Sequence, residues 1–259
     1  MQKSKFREIV EKALKESGKT DLEIYRSALK TFEQVIQKIT NTIDNRSKAN
    51  SNKPITLYKN SRFSNLGADI DTEFGKLSVD FDFFGKYNPN IFGTYIHEPA
   101  GIILNLKEIL QLDPQGDTLS IPGKKLKQMI NNSLVFNTFL HEFTHFYDIK
   151  QNKYNPNKSN INIPLSNESD FERYLNLPIE KNAFTMQLIH NIIFNLNEKY
   201  GRNWQAISRE EKLDYLKNEL EKDKDFMHIY TRMDSKSKKR LLSRIYSIFG
   251  TDPWRNDYE

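Results

Sequence analysis

At 259 residues the chain is long enough to bury a sizeable core, and it fits one large domain, or a catalytic domain with helical additions, and no more than two domains. Hydrophobic residues reach only 37% and charged residues 28%, yet Phe 17 and Tyr 12 supply apolar bulk that a disordered chain lacks. The absence of cysteine excludes disulfides, a thiolate nucleophile and a Cys-based zinc site, so any metal has to be held by His, Asp and Glu. The net charge of +5 is diffuse, because Lys and Asp/Glu are interspersed along most of the chain.

In chain order, Ile9, Val10 and Leu14, then Leu22, Tyr25, Leu29, Phe32, Val35, Ile36 and Ile39, recur at spacings of three and four. They predict two amphipathic helices over Lys5 to about Ile43, broken near Gly18. No apolar h-region follows Met1, and no stretch approaches the ~18 apolar residues of a membrane span. A soluble protein without signal peptide is expected, cytoplasmic or delivered by a non-standard route. After a polar connector over 45–54 the period changes to two: Leu77, Val79, Phe81 and Phe83 alternate with Ser78, Asp80 and Asp82. With Ile55–Lys59, Phe92–His97 and the run Gly101-Ile102-Ile103-Leu104-Asn105, these residues predict a small sheet of hairpin-connected strands over 54–105.

Leu106–Leu112 suits a short helix, and Lys124–Gln151 a long helical stretch. Residues 152–170 are Asn/Ser/Pro-rich and aperiodic, as expected of a long loop. A helix over Pro178–Lys199 follows, and Ser208-Arg209-Glu210-Glu211 has the form of a capping box that opens another. The basic run from Lys236 to Arg244 reads as the solvated face of a helix whose other face carries Leu241, Leu242, Ile245 and Ile248. Nucleic acid is therefore not an expected partner, and neither is a membrane.

The chemistry lies in Phe139-Leu140-His141-Glu142-Phe143-Thr144-His145, an H-E-x-x-H motif. Residues four apart share a helix face, so His141 and His145 can aim ring nitrogens at one ion, while Glu142 is turned aside by about 100°. That is where a general base stands to take a proton from water activated by a metal. The same pattern places Phe136, Phe139 or Leu140, Phe143 and Tyr147 on one face, expected to be buried, with Thr138, His141, His145 and Asp148 on the opposite one. Asp148 is placed either to orient His145 through its second nitrogen or simply on the helix surface.

A catalytic zinc needs a third protein ligand. The long metzincin motif is excluded, because Asp148 and Gln151 stand where it requires Gly and His. A carboxylate on a following helix is the alternative, and Glu180 in Leu177-Pro178-Ile179-Glu180-Lys181-Asn182-Ala183 is the candidate, although a first-turn glutamate is also favoured by the helix dipole alone. His190 lies ten residues further on, too far along the helix to share the ion, and is expected to be structural, whereas His97 is left open.

His141, Glu142 and His145, with Glu180 and Ala183 as E-x-x-A, resemble the gluzincin branch of zincin-like metallopeptidases. The string HEFTHFYD is similar to the HEFGHAxD variant of the anthrax lethal factor catalytic domain and of peptidase-like proteins of phages and mobile elements, with Thr144 where that variant often has Gly. The resemblance covers roughly residues 92–190. It implies Zn2+ held by His141, His145 and Glu180, Glu142 as base, and Tyr174, a few residues before the glutamate, as an aid at the oxyanion.

The expectation is thus an α+β, zincin-like fold: a small, mainly antiparallel sheet packed on an HExxH helix and a Glu-bearing helix. The segments are 1–48 (helical), 54–200 (metallopeptidase domain) and 203–259 (helical, packed on the same core). Gly101–Asn105 is expected to be the edge strand to which a protein or peptide substrate adds by main-chain hydrogen bonds. The alternative function is a non-catalytic zinc-binding structural or interaction protein of a virion or mobile element.

Overall fold

The computed structural model describes residues 19–47, 52–59, 66–86, 91–114, 116–151, 174, 177–200 and 208–248. The expected helix before Gly18, the loop over 152–170 and the tail after Pro253 fall outside them. The fold is α+β, and no described helix is long and apolar enough to cross a membrane.

The described residues within Ser27–Pro156 form one compact unit. Helix α1 (Lys19–Arg46) gives it Ala28, Phe32, Val35, Ile39 and Ile43, all buried and spaced as the sequence pattern requires. The strands are β1 (Pro54–Tyr58), β2 (Leu66–Thr72), β3 (Gly75–Asp82), β4 (Gly93–Ile96), β5 (Gly101–Asn105) and β6 (Thr118–Pro122). They form two sheets rather than one. Strand β1 leaves the expected 54–105 sheet and pairs antiparallel with β6, Ile55 opposite Ile121, while the four-stranded sheet has the order β2-β3-β5-β4.

Within that sheet β2 and β3 form a hairpin, closed at Thr72↔Gly75, where Gly75 has a φ of 116°. β4 and β5 also pair antiparallel, but β3 and β5 run parallel, with Val79 opposite Ile102. The strands are therefore not all hairpin-connected. The expected edge strand is also misplaced: all five residues of β5 are buried because it lies between β3 and β4, and β4 is the edge. An uninterrupted Gly-Ile-Ile-Leu run suits a strand covered on both faces, which is what an inner position demands.

The helical stretch over 124–151 is two helices, α3 (Gly123–Ile130) and α4 (Ser133–Lys150), after the short α2 (Leu106–Ile109). Asn132 makes the break: its side chain accepts from the Leu134 N–H at 2.9 Å and caps α4. Asn132→Ala is expected to lower unfolding free energy by about 1 kcal/mol in urea titrations, and Asn132→Ser to restore most of it. Equal loss in both variants would show that the cap is not what Asn132 contributes.

Helix α4 is buried from Val135 to Ile149 without interruption. The face that carries Thr138, His141, His145 and Asp148 is therefore buried as well. The other side carries an aromatic stack: Phe32 lies 5.1 Å from Phe139, Phe139 is 5.6 Å from Phe143, and Phe143 is 5.5 Å from Phe146 (ring centroids). Phe146 in turn meets Tyr95 of β4 at 6.1 Å. Rings close-packed along one side of the helix fix its rotation, and with it the direction of the motif side chains.

The second unit comprises the described residues within Met1–Arg26 and Asn157–Glu259. It holds α5 (Pro178–Tyr200), α6 (Arg209–Lys222), α7 (Lys224–Arg232) and α8 (Ser235–Ile248). Ser208 caps α6 by accepting from the Glu211 N–H at 3.1 Å, as the capping-box pattern predicts. Arg244 of α8 forks onto Asp21, with Nε 2.9 Å from Oδ2, and its Nη1 donates to Asn182 Oδ1 at 3.0 Å. Lys238 lies over the Tyr230 ring and donates to the Thr231 carbonyl oxygen at 3.1 Å. Of the basic run in α8, Lys236, Lys239 and Arg240 are the exposed members.

Candidate metal centre

Helix α4 places His141 and His145 one turn apart, with ring centroids 4.9 Å from each other and planes at 86°. Glu180 is the third residue of α5. One ligand atom from each of His141, His145 and Glu180 lies within 4.8 Å of the others, and all three side chains are buried. This His/His/Glu group can hold a metal ion.

The donor chemistry fits. Two imidazoles and one carboxylate are the nitrogen and oxygen ligands that first-row divalent ions take, in a chain that has no thiolate to offer. A carboxylate as buried as that of Glu180, 4% exposed, is costly unless positive charge compensates it, and a cation shared with the two histidines would supply that charge.

Glu142 is buried beside its histidine neighbours, and its carboxylate faces the edge strand. A Cβ added at Gly93 would stand 2.8 Å from Glu142 Oε1. Asp148, one turn beyond His145, is also buried, so the helix-surface placement allowed by the sequence does not apply. Tyr174 packs with Phe184 and Leu241 against Met233. His190 is buried on α5 with its ring 6.0 Å from that of Tyr25, and it is not part of the ligand group. His97 follows β4, its Nε2 3.7 Å from Glu98 Oε1 and its side chain 35% exposed.

Three residues near the motif were not read from the sequence. Gly93 opens β4 at the point of closest approach to Glu142; an isolated glycine in a strand pattern is itself a sign of such an approach. Tyr95, two residues on, shares that face of the strand, and its hydroxyl is buried without a hydrogen-bond partner among the described residues. Burial pushes the Tyr95 phenol up to about 12, which keeps it protonated and a donor. Asn105 ends β5 and ties β4 down through hydrogen bonds that no sequence pattern signals. No protein-family model, curated protein or solved structure matches this chain, so the centre is defined by its own geometry and donor chemistry.

Proposed function

We propose that the chain is a zinc-dependent metallopeptidase of the gluzincin type, with a zincin-like fold, and that His141, His145 and Glu180 hold the Zn2+. The observation that carries this reading is the convergence of three buried donors, two from H-E-x-x-H and one from the following helix, within 4.8 Å. When bound, zinc supplies a Lewis acid that polarises a carbonyl and brings the acidity of water near neutrality. Glu142 takes the proton from the attacking water and passes it to the leaving amine. Tyr174 enters only through the family resemblance, as a donor to the developing oxyanion.

A peptide substrate is favoured over other hydrolysable groups by the position of Glu142 against β4. Among the described residues β4 has a paired strand on one side only, so an extended chain can add along its other edge with its carbonyls passing the base. The burial of the ligand set favours one other reading, a zinc held for stability without turnover. Glu142→Gln separates the two.

The test of the centre is metal analysis of the full chain against His141→Ala and Glu180→Ala. One zinc per chain is expected in the wild type, with loss of stoichiometric binding in both variants. A wild type without stoichiometric zinc ends the whole reading, and a Glu180→Ala that binds as well as wild type ends the role of Glu180 alone.

A further inference from the structure

Gly93 has no conformational need to be glycine. The described glycines with positive φ are Gly75, Gly85 and Gly116, whereas Gly93 pairs with Leu104 in a strand geometry that alanine adopts without strain. What excludes a side chain is what lies over its Cα. An added Cβ would stand 2.8 Å from Glu142 Oε1, 2.9 Å from Glu142 Cγ and 2.9 Å from Thr138 Cγ2. Carbon atoms rest at about 3.5–4.0 Å from one another, and the contact to the Glu142 oxygen is also closer than a Cβ tolerates, so all three contacts are closed to it.

The crowding reaches the root of the glutamate side chain as well as its tip. Displacing Cγ requires Glu142 to change rotamer, in a helix that is buried all round. Thr138 cannot readily turn away either, because its Oγ1 donates to the Leu134 carbonyl oxygen at 3.0 Å. The strand on the other side is held too. Asn105 donates from its backbone N–H to the Phe92 carbonyl oxygen at 2.8 Å and from Nδ2 to the Ile91 carbonyl oxygen at 3.0 Å, while its Oδ1 accepts from the Glu108 N–H at 3.3 Å. One buried residue, through its backbone and its side chain, thus joins the end of β5, the start of α2 and the two residues before Gly93.

We infer that Gly93 is a positioning residue for Glu142: the space left by its missing side chain is the seat of the Glu142 carboxylate, and Asn105 keeps β4 closed over that seat. The catalytic consequence rests on the proposed role of Glu142, whereas the steric coupling stands without it. Misplacing a base by about 1 Å lowers turnover by roughly 10²-fold.

The experiment is a double-mutant cycle in the full chain. Gly93→Ala is made alone and in a Thr138→Ser, Glu142→Ala background that removes all three crowding atoms. Alone, it is expected to keep one zinc per chain, since the three atoms nearest the new Cβ belong to Glu142 and Thr138. On a fluorogenic peptide mixture kcat should fall about 10²-fold with KM within about threefold, and the thermal midpoint should fall by about 5 °C. In the relieved background the same substitution should move the midpoint by less than about 1 °C. Equal midpoint losses in both backgrounds, or undiminished kcat in Gly93→Ala, overturn the inference. If Gly93→Ala alone does not fold, folding of the triple variant supports the coupling and its failure to fold refutes it. A wild type that binds zinc but cleaves no peptide removes the peptidase reading and leaves the midpoint cycle to decide the steric one.

Discussion

Glu142→Gln is expected to lower peptide hydrolysis by about 10²–10⁴-fold while zinc remains bound at one per chain. The amide keeps the size and hydrogen-bonding reach of the carboxylate, so its fit over Gly93 is preserved and only the ability to take a proton is lost. Metal binding is expected to be spared because the proposed ligand atoms belong to His141, His145 and Glu180. The measurement pairs metal analysis with kcat on one preparation. Hydrolysis that survives at the wild-type rate means that Glu142 is not the base, whereas zinc bound at one per chain with no hydrolysis in the wild type favours the non-catalytic reading.

The second large effect lies in the helical unit and concerns acid. His190 is 4% exposed, and burial pushes its imidazole down from 6.5 to about 4. The neutral ring is thus the folded form, while the unfolded chain binds a proton at the ordinary value. The associated stability is fully present above about pH 6.5, declines by up to ~1.4 kcal/mol per pH unit as pH falls, and is gone below about pH 4. The total is roughly 3 kcal/mol. Urea unfolding of the chelator-treated chain from pH 7.5 to 4 should show wild type losing about that much more than His190→Leu. Chelation keeps any loss of bound metal out of the comparison. Parallel curves for the two proteins would show that His190 is not the acid-sensitive group.

The motif was legible because a metal site on one helix needs only local spacing, and His141, Glu142 and His145 carry that spacing in five residues. Glu180 was reachable by elimination, since Asp148 and Gln151 stand where a metzincin would place its Gly and His. Partnership between strands was not. Alternation in Leu77–Phe83 tells which residues face the core, yet it is silent on neighbours, so the exchange of β1 out of the main sheet and the inner place of β5 left no local trace. Strand β6 was missed because Thr-Leu-Ser-Ile-Pro is short and follows a turn-rich segment. The break at Asn131-Asn132 was overlooked because the apolar period continues across it, although Asn132 is a strong cap residue. The full burial of α4 could not be read either, since Thr, His and Asp side chains carry no local signal of their own burial.

The parallel seam between β3 and β5 has a kinetic consequence. The hairpins β2–β3 and β4–β5 each join segments close in sequence, and their loops close at small entropic cost. The seam joins Ser78 to Gly101 and Asp82 to Asn105, contacts that reward the chain only after both hairpins exist. Gly93 belongs to the second hairpin and meets Glu142 across a still longer stretch of chain. The seat of the Glu142 carboxylate over Gly93 is therefore expected to be among the last features to form, because two locally assembled pieces have to be zipped together before α4 has a complete sheet on which to lie.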